Sequence, residues 1–142
     1  MAAAQTLSAS LEDYLEAIFL LVRDQRVARV KDIAERLGVQ MPSVTCALRG
    51  LCERGLVEHD PYSYATLTPR GERIARELFH RHQVLTAFLS DYLGLEPQTA
   101  ERNACQLEHA IEPVVLERLV AFIERHPAEA MERDADDEQP EQ

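Results

Sequence analysis

The sequence predicts a mainly α fold in two parts, and three observations predict it. Apolar residues recur at helical spacing in six stretches. Only one place, between the third and fourth of them, offers β-prone pieces, Leu56–His59 and Ala65–Thr68. The acidic charge is gathered towards the C-terminal end, leaving the first half nearly neutral.

The elements follow in order. Ser10-Leu11-Glu12-Asp13 reads as a capping pattern opening a helix with Leu11, Leu15, Ile18, Phe19 and Val22 on one face, ending near Arg23-Asp24-Gln25. Val30 to Leu37 is a short second helix stopped by Gly38. A third begins at Met41-Pro42, where a proline fits the first turn, and runs through Val44, Leu48 and Leu51 to Gly55. The two β-prone pieces flank Asp60-Pro61-Tyr62-Ser63-Tyr64, which has turn chemistry. Pro69-Arg70-Gly71 then leads into a long helix with Ile74, Leu78, Leu85 and Phe88, broken at Leu93-Gly94-Leu95-Glu96-Pro97. Helices around Ala100–Ile111 and Val114–Ile123 follow, and the acidic stretch 128–142 is read as a disordered tail.

Two short helices around a glycine turn, then a hairpin, is the order of a winged helix-turn-helix. Ala34 is small where helices must cross, and the third helix opens on small residues that let its end approach base edges. Gln40, Met41, Pro42, Ser43, Thr45 and Cys46 occupy that reading end. Arg29, Lys31, Arg49, Arg54 and Arg70, with Tyr62 and Tyr64 of the hairpin, are candidates for phosphate contacts. A helical hairpin that merely packs is the plainer alternative, and the hairpin at the expected place argues against it.

The net charge of −10 does not forbid this reading, because of where it sits. Residues 1–75 carry 9 Lys and Arg against 10 Asp and Glu; residues 76–142 carry 6 against 15. Hydrophobic residues make up 46%, as in a globular protein, and no apolar run approaches the roughly 20 residues of a membrane span. The N-terminus lacks the features of a signal peptide, and three cysteines, Cys46, Cys52 and Cys105, form no disulfide framework. A reduced, cytoplasmic protein is expected.

The chemistry concentrates in Cys105-Gln106-Leu107-Glu108-His109. On a helix, positions i, i+3 and i+4 share a face, so a thiol, a carboxylate and an imidazole point the same way. All three are ligand types for divalent metals. The first helix adds Asp13 and Glu16, again one turn apart, and the long helix adds His82 beside His80 and Arg81. Six ligands on three helices leave room for two ions. No phosphate-binding glycine loop, nucleophile elbow or His-Glu-x-x-His signature is present, so an enzyme is not expected. Redox sensing through Cys105, or regulation independent of metal, remain open as alternatives.

The stretches Glu12-Asp13-Tyr14-Leu15-Glu16, Ile33-Ala34-Glu35-Arg36-Leu37-Gly38-Val39, Arg81-His82 and Cys105-x-x-Glu108-His109 resemble the DtxR/MntR family of iron- and manganese-dependent regulators, in a short form without an SH3-like domain. The likeness covers about residues 8–126. It implies a winged-helix repressor of manganese or iron homeostasis, dimeric through its C-terminal helices, that binds double-stranded operator DNA when loaded with metal. It implies Asp13, Glu16, His82, Cys105, Glu108 and His109 as ligands, with Mn(II) favoured and Fe(II) the alternative. Asp13 matches the manganese-type pattern and Cys105 the iron-type one. Thr86 stands where iron-type members place an ancillary glutamate, and Cys46 where they have a glutamine. The expected domains are 1–75 for DNA binding, 76–127 for metal binding and dimerisation, and 128–142 as the tail.

Overall fold

Serine at position 8, not 10, starts the first helix. Ser8 has extended backbone (φ −64°, ψ 155°) and its hydroxyl accepts a hydrogen bond from the Leu11 N–H at 3.2 Å, so α1 spans Ala9–Gln25. The Ser10 pattern fails as a cap because that residue is already inside the first turn. The helix closes on Arg26, held at φ 73° with its N–H bonded to the Val22 carbonyl. A residue with a Cβ pays roughly 1–2 kcal/mol in this left-handed conformation. The computed structural model describes residues 7–60 and 64–128.

Immediately after that turn lies a strand that the sequence reading missed. β1, Ala28–Arg29, is too short to show any alternation, yet it pairs antiparallel with the hairpin. α2 (Val30–Leu37) and α3 (Met41–Glu53) fall as expected, with Gly38 at φ 66° bonding back to Ala34 and Pro42 in the first turn of α3. The hairpin is β2 (Val57–His59) and β3 (Tyr64–Leu67), in register Val57↔Leu67, Glu58↔Thr66 and His59↔Ala65. The sheet order is β1-β3-β2, with Ala28 opposite Ala65 and Arg29 opposite Tyr64.

Thr68, expected at the end of a strand, instead caps the next helix, α4 (Pro69–Ala87). Its hydroxyl donates to the Gly55 carbonyl at 2.7 Å and accepts from the Gly71 N–H at 3.1 Å. Gly71 is obligatory for packing: a Cβ there would stand 1.9 Å from the Leu56 carbonyl oxygen. One core, led by Leu15, Ile18, Ile33, Val44, Leu48 and Leu51, binds these elements together.

The chain divides into two units, Met1–Phe79 and His80–Gln142, with the boundary inside α4. In the second unit, α4 runs into a π-helical turn, Phe88–Tyr92, whose wide winding is marked by the Leu93 N–H reaching the Phe88 carbonyl at 3.3 Å. α5 spans Pro97–Leu107 and α6 spans Pro113–Arg125. Pro97, read as a breaker, is instead the first residue of α5, where its missing N–H costs nothing. Leu85, Leu89, Ala100 and Ala104 form a small core, with Ile111 and Leu119 against it. Tyr92 stacks on Phe88, and its hydroxyl donates to the carbonyls of Ile123 and His126 at the end of α6. The acidic tail, beyond Ala128, lies outside the described residues.

Candidate metal centre and nucleic-acid interface

Helix α3 divides cleanly by burial. Val44, Ala47, Leu48 and Leu51 face the core, while Gln40, Met41, Pro42, Ser43, Thr45, Cys46 and Arg49 are exposed. The apolar spacing that anchors the helix thus turns its opening end outward, as a groove-reading helix requires. Through Gly50 the helix carries one charge, Arg49, and no acid. The Thr45 hydroxyl donates to the Met41 carbonyl at 3.2 Å, which leaves its oxygen to accept. Arg29 and Tyr64 are cross-strand neighbours and both exposed, and Lys31 in the first turn of α2 is exposed too. Arg70 is exposed and Arg54, at the end of α3, is half-buried. Tyr62 lies outside the described residues.

The first unit also carries Asp13 and Glu16, one turn apart on α1. Asp13 is half-buried and Glu16 is buried, 9% exposed. A carboxylate rarely settles so deep in a helix flank without a cation or donors to meet it.

In the second unit four donors come together. His82 stands on α4, Cys105 on α5, and Glu108 and His109 follow α5. The sequence reading had one helix carry Cys105, Glu108 and His109 through Ile111; the helix stops at Leu107. Glu108 keeps helical angles (φ −60°, ψ −27°) and its N–H still bonds the Ala104 carbonyl at 2.9 Å, so it remains one turn from Cys105. His109 enters the turn that closes with the Ala110 and Ile111 N–H groups on the Leu107 carbonyl. Its place beside Glu108 is a property of that turn, not of the helix period. Donor atoms of Cys105, Glu108 and His109 nevertheless lie within 4.8 Å of one another.

Glu108 is the centre of the arrangement. Its side chain is fully buried; Oε2 accepts from His82 Nδ1 at 3.0 Å, and Oε1 lies 3.5 Å from His109 Nε2. Oε1 has no hydrogen bond among the described residues. An ionised carboxylate without full pairing is costly to bury, and such an oxygen calls for a cation. The proton on Nδ1 of His82 also fixes which ring nitrogen keeps its lone pair. Cys105, Glu108 and His109 thus offer a thiol, a carboxylate and an imidazole, a donor set that fits a first-row divalent metal, with His82 on the other oxygen of Glu108. Access is open: a cleft of about 500 Å³ is lined by His82, Gln98, Glu101, Arg102, Cys105 and Gln106.

Thr86 is engaged elsewhere. Its hydroxyl donates to the His82 carbonyl one turn back at 2.7 Å, a back-bond that keeps it on its own helix.

Residues 6–65 match the family model described as the iron-dependent repressor N-terminal DNA-binding domain, and residues 68–137 match its metal-binding and dimerisation domain. The chain is 37% identical over 120 residues to a helix-turn-helix-type transcriptional regulator of Methanocaldococcus jannaschii, covering 84% of this chain and 96% of that one. It is 38% identical over 118 residues to the transcriptional regulator MntR of Escherichia coli O157:H7, covering 83% and 76%. A solved structure of a manganese-dependent transcriptional repressor in complex with manganese superposes with a TM-score of 0.73 at 33% identity. That match covers 80% of this chain and 52% of the other, so the chain spans about half the length of that solved protein. These relatives are transcriptional regulators and not enzymes. No helix among the described residues is long and apolar enough to cross a membrane. The chain belongs to the iron-dependent repressor family, that of the DtxR and MntR regulators.

Proposed function

We propose that this chain is a cytoplasmic homodimer that represses genes of manganese or iron homeostasis, occupying operator DNA when it holds Mn(II), with Fe(II) the competing ion. The observation that carries the metal assignment is Glu108: fully buried, one oxygen on His82, the other near His109 with no hydrogen bond. The exposed opening end of α3 supports the DNA assignment. The uncovered apolar residues of α6, Val114 and Val115, support association of two copies.

The assigned ligands are Asp13, Glu16, His82, Cys105, Glu108 and His109, enough for two ions per subunit. When bound, a divalent ion supplies the positive charge that lets several carboxylates share one site. Asp13 and Glu16 contribute hard oxygens, which suit Mn(II); the Cys105 thiolate raises relative affinity for softer ions. Loading favours DNA only as far as these ligands prefer the DNA-competent state. A hundredfold preference is worth about 2.7 kcal/mol. On the DNA side, Gln40, Met41, Pro42, Ser43, Thr45 and Cys46 are assigned to base edges. Arg29, Lys31, Arg49, Tyr62 and Tyr64 are assigned to phosphates.

Anaerobic metal competition on the purified apo-protein, for wild type and Cys105→Glu, tests the reading. Uptake of about two Mn(II) per subunit, unimpaired in the variant, is the expected result for a manganese sensor. A thiolate charge-transfer band with Fe(II) or Co(II), lost in the variant, moves the assignment to iron. No uptake of any metal removes the sensor reading and leaves the DNA-binding half alone.

A further inference from the structure

The opening of α3 presents a narrow choice of side chains. The Gln40 carbonyl accepts the N–H groups of Ser43 and Val44 at 3.0 and 3.3 Å, yet the Gln40 side chain makes no capping hydrogen bond. Gln40 is exposed, so its amide offers both donors and an acceptor to whatever approaches the helix. Met41 beside it is 51% exposed and presents an apolar, polarisable thioether. Ser43, Thr45 and Cys46 are exposed, small and uncharged. The first cation of the helix is Arg49, eight residues past Met41 and about 12 Å farther along the axis. Its first acid is Glu53.

We propose that the opening of α3 selects A·T base pairs, Gln40 holding an adenine through its amide and Met41 resting on the methyl group of a neighbouring thymine. The inference rests on the DNA-binding reading above and names what that helix reads. In the major groove adenine presents an acceptor, N7, beside a donor, the N6 amino group. A glutamine amide matches both at once: its NH2 donates to N7 and its oxygen accepts from N6. Thymine presents a methyl group, which a thioether on a flexible stem can cover. Guanine presents two acceptors, which call for the paired donors of an arginine or lysine, and the cytosine amino group calls for a carboxylate. Neither type stands in the first two turns of α3. Arg49 comes too late, about a groove's width from Met41. The Thr45 hydroxyl already donates to the Met41 carbonyl at 3.2 Å, so it has no proton left for guanine, and Ser43 has only one.

The test selects binders from a pool of duplexes with a randomised centre. It uses the full chain as wild type, Gln40→Ala and Met41→Ala, loaded with Mn(II) and, in a parallel anaerobic pool, with Fe(II). Both positions are exposed, so the helical circular dichroism of the variants should match wild type. Wild type is expected to enrich a half-site with one A·T pair that Gln40→Ala no longer prefers and a neighbouring one that Met41→Ala no longer prefers. In the selected duplex, 7-deazaadenine at the first position removes only N7. It should weaken wild type about tenfold and leave Gln40→Ala unmoved. Uracil for thymine at the second removes only the methyl group, and should weaken wild type about fourfold and leave Met41→Ala unmoved. A G·C pair at the position that depends on Gln40, or selected sites that neither substitution alters, overturns the proposal while DNA binding stands. So does 7-deazaadenine weakening wild type and Gln40→Ala alike. If no duplex is retained with either metal, the DNA-binding reading falls and this inference with it.

Discussion

The two units of this chain use similar apolar sequences to opposite ends. In the first, sixteen buried residues from α1, α2, α3, the sheet and α4 form one core. In the second, four buried residues suffice, and α6, with Val114, Val115, Leu119 and Phe122, buries none of its own. Val114 is 51% and Val115 is 49% exposed. The first unit is a finished fold. The second leaves α6 uncovered over a small core, which accords with the dimerisation domain that the family model names.

Core truncation should separate the units most sharply. Leu48→Ala, at a fully buried position in the first unit, is expected to cost about 3–5 kcal/mol in chemical denaturation. Leu89→Ala in the thinner core, 9% exposed, should cost about half as much. Equal losses would mean that the second core is as tightly sealed as the first. Next in size is Glu108→Gln. Losing the anion should lower Mn(II) affinity about a hundredfold, some 2.7 kcal/mol, with the helical circular dichroism retained. Unchanged metal affinity would break the assignment of the centre to the second unit.

Tyr92→Phe comes third. It removes the hydroxyl that serves the end of α6 and should destabilise the second unit by about 1 kcal/mol, read by hydrogen exchange of the amides of α6. Smallest is a contrast of two thiols in the first unit. Burial pushes the Cys52 thiol up, more than the His59 backbone hydrogen bond lowers it. The thiolate is the reactive form, so alkylation of Cys52 should accelerate only at higher pH, well after exposed Cys46 has reacted. Reaction of both at one rate at neutral pH would show Cys52 to be open to solvent.

The winged-helix order was legible because its punctuation is chemical. Gly38 and Gly55, both at positive φ, and Pro42 in a first turn mark boundaries that no other residues would mark as plainly. What was not legible depends on tertiary pairing. A two-residue strand such as β1 exists only because β3 lies beside it. The acid three residues after Ser10 points to the wrong serine, and only the backbone shows Ser8 to be the cap. The π turn at Phe88–Tyr92 keeps the apolar spacing of an ordinary helix, so its periodicity is silent.

The second-unit donors His82, Cys105, Glu108 and His109 could be picked out by residue type and spacing, and the structure brings them together. The reason offered for His109 was nonetheless mistaken. It reaches Glu108 through a turn that begins at Leu107, well before Glu112-Pro113, where the backbone is extended again. The burial of Glu108 has no signal in sequence at all, since exposed glutamates at helix ends are far commoner.

The contact at Gly71 has a mechanical consequence. With 1.9 Å between a would-be Cβ and the Leu56 oxygen, and Thr68 bonded to both sides, the first turn of α4 is keyed to the hairpin like a cog in its rack. There is no slack for α4 to roll about its axis while β2 stays still. A side chain of any size at position 71 would therefore wedge the root of α4 away from the strand that opens the wing.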